Sequence, residues 1–206
     1  MTQFGHHAQN DRWIAEAVFP DVRDGFFVEA GACAGESGSA TLALERDLGW
    51  DGICVEPLSF YYRKLIRYRH CKTDNRCLSA RSGDEVPFLS YVEDRARSGI
   101  EALNKNGHWA SRREVHTEVS VVETVTLGDL LDEHHAPDTV HYLCLDVEGA
   151  ERTILDAFDL ARRRILAISI EGPSCDDLLV RYGYRRVGNS FAPDEIDHYF
   201  LHPAVV

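Results

Sequence analysis

One stretch constrains this chain more than any other. Residues 25–57 hold two short apolar runs, each carrying a carboxylate at its end, on either side of a helix-forming segment. The first, Phe26-Phe27-Val28-Glu29-Ala30, leads into Gly31 and Gly35; the second, Ile53-Cys54-Val55-Glu56, stops at Pro57. Runs this short, rich in Val, Ile and Phe and ended by Gly or Pro, read as buried parallel strands. Between them Leu42, Leu44 and Leu48 predict a helix over 36–48, with Gly49 just past its end as a C-cap. The whole is a βαβ unit with a glycine-rich first turn.

That turn carries the chemistry. Gly31 and Gly35 lack a Cβ, so the backbone turns tightly off the strand and a ligand can lie directly against it. Amides at the N-terminus of the following helix then face the ligand and favour negative charge. Glu56 is placed to accept hydrogen bonds from the two hydroxyls of a ribose. The plainer alternative is a generic βαβ turn with a solvated acid after the next strand. Dinucleotide folds use G-x-G-x-x-G, whose middle glycine lets a pyrophosphate approach; here Cys33 stands in that place. A leading carboxylate, Glu29, and the sparser spacing of Gly31 and Gly35 suit a ligand with an amino-acid tail and no phosphates. S-adenosylmethionine is such a ligand, with its methionine part against the loop and its ribose on Glu56.

The 206 residues suffice for one domain with a full core, and a single domain over 1–206 is expected. Lys and Arg total 22 against 34 Asp and Glu, a formal net charge of -12. A surface of that sign repels polyanions, which argues against nucleic acid or an anionic membrane as partner. The basic tract Arg162-Arg163-Arg164 reads as a solvated helix end. No apolar run approaches the ~18 residues of a membrane span, and no apolar leader opens the chain, so a cytoplasmic protein is expected. Six scattered cysteines without a C-x-x-C support neither a zinc site nor a redox motif, and are expected as free thiols.

Along the chain, Trp13, Ile14, Ala17 and Val18 fall at helical spacing, with Asn10 or Asp11 as N-cap and Pro20 as a stop. Residues 1–24 thus form a helical segment or lid over the sheet, with His6 and His7 at its start. Residues 58–70 predict an amphipathic helix, and 71–79 a third strand whose end, from Asn75 to Leu78, would meet an adenine. Strand character returns at 86–92 and 119–125. Between them 93–118 is polar and irregular, a length of loop that reads as a substrate-side insertion or lid. A helix follows Thr126, with His134 and His135 at its negative end. The run His141 to Leu145 predicts another buried strand ending in Asp146, before a helix near Gly149. Glu148 and Glu151 fit plain helix N-terminal charges, Glu151 above all. Residues 165–170 predict a strand ending at Glu171, and the tail a helix at 176–182 and two strands suited to an edge hairpin. In an open α/β sheet ligands bind beyond the carboxyl ends of the strands, so Glu29, Glu56, Asp146 and Glu171 are expected in one crevice.

Several of these pieces form a pattern: Phe26 to Ala32 with Gly35, Ser37, Ser39 and Thr41; Leu48 to Pro57; Ser98-Gly99-Ile100; Thr126 to Leu131; Tyr142 to Glu151; and Gln9 and Asp11 ahead of Trp13. In that order they resemble the FkbM-type S-adenosylmethionine-dependent methyltransferases over nearly the whole length. The resemblance implies an α/β, Rossmann-like class I methyltransferase fold, a mostly parallel seven-stranded sheet with helices on both faces. It implies methyl transfer to an oxygen, commonly a hydroxyl of a sugar or natural product. The cofactor set it implies is Glu29, Gly31, Ala32, Gly35, Ser37, Glu56, Pro57, Asn75, Cys77 and Asp146. The chain departs from the family at Cys33-Ala34, where polar residues are usual, and at Glu29, where Asp is more frequent.

Methyl transfer from a sulfonium is an in-line displacement, and a neutral alcohol must lose its proton as it attacks. Asp146 is the first candidate for base or metal ligand, with Glu171 beside it and His6 or His7 further out. Asp146 and Glu171 would suit one Mg²⁺. Two rivals stand beside this reading: an NAD-dependent oxidoreductase on the same topology, and a non-catalytic domain that keeps cofactor binding alone. The small-molecule acceptor has no readable code here, nor does a homo-oligomeric state.

Overall fold

The computed structural model describes residues 2–104, 115–192 and 197–205. Its strands, in chain order, are β1 Phe26–Ala30, β2 Asp51–Val55, β3 Lys72–Asp74, β4 Cys77–Leu78, β5 Glu85–Tyr91, β6 Gly99–Ile100, β7 Thr117–Val125, β8 Thr139–Leu145, β9 Arg164–Glu171, β10 Arg185–Val187 and β11 Asp197–Leu201. The helices are α1 Asn10–Arg12, which continues as a π-helix over Trp13–Val18, then α2 Leu42–Leu48, α3 Ser59–Tyr68, α4 Leu127–Glu133, α5 Glu151–Asp156 and α6 Asp176–Arg181.

Seven strands form one sheet in the order β10-β11-β9-β8-β1-β2-β3. Neighbours from β9 to β3 pair in parallel, whereas β11 runs antiparallel to β9 and β10 antiparallel to β11. The sheet is therefore mixed, with the parallel part closed at one edge by a hairpin. The strand order reverses beside β1, between β2 and β8, and such a switch point opens a crevice at the strand carboxyl ends.

Alternation along β1 sorts the helices onto both faces. Val28 and Ala30 pack with Leu130, Ile154 and Leu179 of α4, α5 and α6. Phe27 faces the other way, onto Trp13, Ile14, Leu44 and Leu65. Both layers consist of side chains that are almost wholly buried, so each helix is held by its apolar stripe.

Several sequence expectations change in the structure. The helix predicted over 36–48 begins at Leu42, because the buried Glu29 carboxylate captures the segment before it. It accepts from Ser39 Oγ at 2.9 Å, the Ala40 amide at 2.8 Å and Thr41 Oγ1 at 2.5 Å. The amides of Thr41 and Leu42 meet Ser39 Oγ, so this helix start does not face a ligand. Neither Asn10 nor Asp11 caps α1. Gln9 holds that position with φ 54°, while Asn10 reaches Asp197 at 2.6 Å and Asp11 accepts from the Gly5 and His6 amides.

The third strand predicted over 71–79 is broken at Asp74. That carboxylate binds the Arg76 amide and guanidinium, and the chain leaves the main sheet there. Beyond the break, Cys77–Leu78 joins a second sheet of order β4-β7-β5-β6. The predicted insertion over 93–118 supplies β6 and a 3-10 turn at Arg95–Arg97, while 105–114, with Gly107-His108-Trp109, lie outside the described residues. His134 is not merely a helix-end charge: its Nε2 lies 3.0 Å from Asp74 Oδ2. Among the described residues no helix is long and apolar enough to cross a membrane.

Candidate active site

Two backbone constraints build the floor of the crevice. Gly31 follows β1 at φ +83°, and a Cβ there would lie 1.9 Å from the Asp146 carbonyl oxygen. The ends of β1 and β8 approach so closely that only glycine fits. The next amides, of Gly31 and Ala32, both donate to the Val55 carbonyl at 3.0 and 3.1 Å. This ties the turn across to β2 and brings Glu56 beneath it.

Glu56 is 4 % exposed, and each carboxylate oxygen accepts one amide, Cys33 N at 2.9 Å and Leu58 N at 2.7 Å. Burial raises its pKa to about 7, against the pull of those two amides. A carboxylate oxygen can accept more than one hydrogen bond, so capacity remains for a ligand. Cys33 adopts φ 48°, the conformation in which its amide reaches Glu56.

A cleft of about 900 Å³, counted to its open mouth, lies over this floor. Of the residues predicted from sequence, His7, Gly31, Ala32, Ser37, Glu56, Pro57, Cys77 and Asp146 line it. Glu29, Gly35, Asn75 and Glu171 do not. Glu29 points to the opposite face of the sheet, where Arg69 Nη1 at 3.2 Å joins the loop donors on its carboxylate. Gly35 is needed for packing: a Cβ there would lie 2.4 Å from Leu65 Cδ1 on α3. Asn75 spends its amide on the Glu56 and Pro57 carbonyls, at 2.8 and 3.2 Å, and so braces the strand end.

Asp146 closes the floor on the β8 side. Burial, followed by the charges of Glu171 and Glu148, holds its carboxyl well above the usual carboxylate range. Asp146, Glu148 and Glu171 can each place a carboxylate oxygen within 4.8 Å of the others. The sequence reading missed Glu148 in this group. The turn Asp146-Val147-Glu148-Gly149 puts Glu148 at φ 59°, which folds it back instead of out along α5. Glu151 caps the same turn, accepting from the Val147 and Gly149 amides at 3.3 and 3.2 Å.

The two N-terminal histidines part company. His6 is buried and its Nδ1 accepts from the Ala8 and Asn10 amides; burial and the neighbouring His7 lower its pKa to about 3. His7 stacks on it at 4.4 Å and borders the cleft. The opposite wall comes from the second sheet and the turn before β6, in Leu78, Phe88, Arg95 and Ser98. Leu78 ends the stretch expected to meet an adenine, whereas Phe88, Arg95 and Ser98 were given no cofactor or catalytic role from the sequence. Arg95 reaches Glu118 at 2.9 Å and lies over the Phe60 ring.

The family model for the methyltransferase FkbM domain matches residues 29–185, a span running from β1 to β10. The chain belongs to the FkbM methyltransferase family. An FkbM methyltransferase of Methylobacillus flagellatus KT shares its fold with a TM-score of 0.52 at 14% identity, covering 88% of this chain and 44% of that one. The chain thus spans less than half the length of that relative. A fibrillarin/Nop5p complex aligns with a TM-score of 0.37 at 13% identity, covering 94% of this chain and 81% of that one, too slight a likeness to bear on the fold. No curated protein matches the chain. The matched span includes Gly31, Glu56 and Asp146, which line the cleft, and Glu148, whose carboxylate lies near that of Asp146.

Proposed function

We propose that this FkbM protein is an S-adenosylmethionine-dependent O-methyltransferase acting on a hydroxyl of a small molecule, a sugar or natural product. One observation carries the reading: Gly31, Glu56 and Asp146 line a single acidic cleft at the carboxyl ends of the parallel strands. Acids at both ends of the floor favour a cationic sulfonium and ammonium over the pyrophosphate of NAD. Among the described residues the one arginine on the cleft wall, Arg95, is already held by Glu118. The residues fit such a cofactor: Glu56 suits the ribose diol, the Gly31–Ala32 turn the amino-acid part, and the apolar Pro57, Cys77, Leu78 and Phe88 the base.

When bound, the cofactor supplies an electrophilic methyl on a sulfonium. The chain's own part is alignment and proton removal. Asp146, its proton affinity raised by burial and two neighbouring acids, takes the proton of the attacking hydroxyl at a carboxylate oxygen. His7 borders the same cleft and is the second candidate for that proton. The oxygens of Asp146, Glu148 and Glu171 also suit a hard cation such as Mg²⁺, which would acidify the hydroxyl in place of a base. Titrating Mg²⁺ calorimetrically into wild type and Glu148→Gln separates the two: heat lost in the variant favours the cation, and no heat in wild type leaves Asp146 as the base.

The reading as a whole is tested by thermal shift with S-adenosylhomocysteine and with NAD⁺. Only the first should raise the midpoint, by an amount that grows with concentration above its Kd. Stabilisation by NAD⁺ alone would replace the methyltransferase reading with the oxidoreductase. Binding of S-adenosylhomocysteine without turnover of any acceptor would favour a non-catalytic domain.

A further inference from the structure

Among the described residues, the Ser98 Oγ is the one buried side-chain oxygen or nitrogen without a hydrogen-bond partner. An orphaned buried hydroxyl is costly to a folded chain, so its position asks for an explanation. Ser98 lines the cleft on the wall made by the second sheet. Gly99 pairs with Leu89 and Ile100 with Phe88, so Ser98, one residue before Gly99, falls on the same face of that sheet as Phe88. The other contributors from this sheet, Cys77, Leu78 and Phe88, are apolar. Among the described residues this stretch of the wall is therefore an apolar slot with one neutral side-chain oxygen in it, bordered by Arg95.

A purine presents that combination: apolar faces and a polar edge. Its sugar would sit on Glu56, next to Pro57, and the base would extend from there onto Leu78 and Phe88. Asn75, expected to meet the base edge, does not line the cleft, and its Nδ2 is held by two backbone carbonyls. Among the described residues on that wall, Ser98 Oγ is the buried side-chain oxygen left without a partner, and Arg95 can only donate. Gly99 fixes how closely it approaches: a Cβ on Gly99 would lie 3.3 Å from Glu148 Cβ and 3.4 Å from the Val147 carbonyl.

We propose that Ser98 reads the base of the bound nucleoside, its Oγ accepting a hydrogen bond from the exocyclic amine of adenine. The proposal rests on the S-adenosylmethionine reading and deepens it. It makes Ser98 a specificity-determining residue for adenine.

The test is calorimetric titration of wild type and Ser98→Ala with S-adenosylhomocysteine and with its analogue lacking the 6-amino group. For S-adenosylhomocysteine the variant should bind about three- to tenfold more weakly, the range of one neutral hydrogen bond. For the deaminated analogue the two proteins should bind alike. Without ligand, Ser98→Ala should melt no lower than wild type, because the hydroxyl it removes has no partner among the described residues. Unchanged affinity for S-adenosylhomocysteine would overturn the proposal and turn Ser98 toward the acceptor. An equal loss with both ligands, or a lower unliganded midpoint, would overturn it in favour of a structural role. If wild type binds neither nucleoside, the cofactor reading itself fails, and Ser98 loses its proposed partner with it.

Discussion

Glu56 shows how much one carboxyl can report. Burial lifts its pKa from 4.5 to about 7, so between those values the unfolded chain ionises while the folded chain keeps its proton. Stability of the unliganded protein therefore falls as pH rises through that window, by roughly 3 kcal/mol at most. Glu56→Gln should flatten this slope in melts from pH 4.5 to 8, and a slope unchanged in the variant would place the titration elsewhere. Binding should run the other way. A ribose diol donates to the ionised carboxylate, so affinity for S-adenosylhomocysteine should weaken below about pH 7 in wild type. Above that pH the variant should bind at least tenfold more weakly, by loss of a charge-assisted acceptor, and the gap should narrow as wild type protonates. At Asp146 the expectation is kinetic: Asp146→Asn should lose 10²- to 10⁴-fold in turnover if it is the base. Near wild-type turnover by a folded variant would pass that role to His7.

At the scale of elements, the turn between β1 and α2 is held from outside the cleft. Arg69 at the end of α3 is buried and binds Glu45 at 2.5 Å, Glu29 at 3.2 Å, Ser39 Oγ at 3.0 Å and Thr41 Oγ1 at 2.8 Å. It joins α2, α3, the loop and β1 at one point. Removing it leaves buried carboxylates unpaired, so Arg69→Ala should cost about 3–5 kcal/mol of stability. Chemical denaturation measures this directly, and a loss under 1 kcal/mol would mean the network is dispensable. Gly31→Ala is the matching test on the cleft floor. Its Cβ meets the Asp146 carbonyl and its φ is positive, so the variant should lose both stability and nucleoside binding.

These elements also show why parts of the site could not be read in advance. A carboxylate after an apolar run signals a strand end, but not which face of the sheet its side chain takes. Glu29 sits one residue before the end of β1, on the side of Phe27, and so it binds Arg69; Glu56 lies past the end of β2, within the cleft. A single residue of register separates a structural acid from a ligand-facing one. Gly35 was readable as a required glycine, but not that α3 is what requires it.

For the molecule as a whole, the second sheet is the element that completes the cleft. Without β4, β5 and β6 the crevice of the parallel sheet would be open opposite Gly31 and Asp146; with them, Leu78, Phe88 and Ser98 supply a wall. Sequence alone determined the βαβ unit, the order of strand-end acids and the glycine turn, because local periodicity and the lack of a Cβ act over a few residues. The family pattern was legible for the same reason, as short runs in a given order. Only the tertiary structure decided which of these residues meet. Leu78, Phe88 and Ser98 enter the cleft through pairings between distant strands, and Glu148 comes beside Asp146 through a reversed turn; such contacts depend on register and packing rather than on any local pattern.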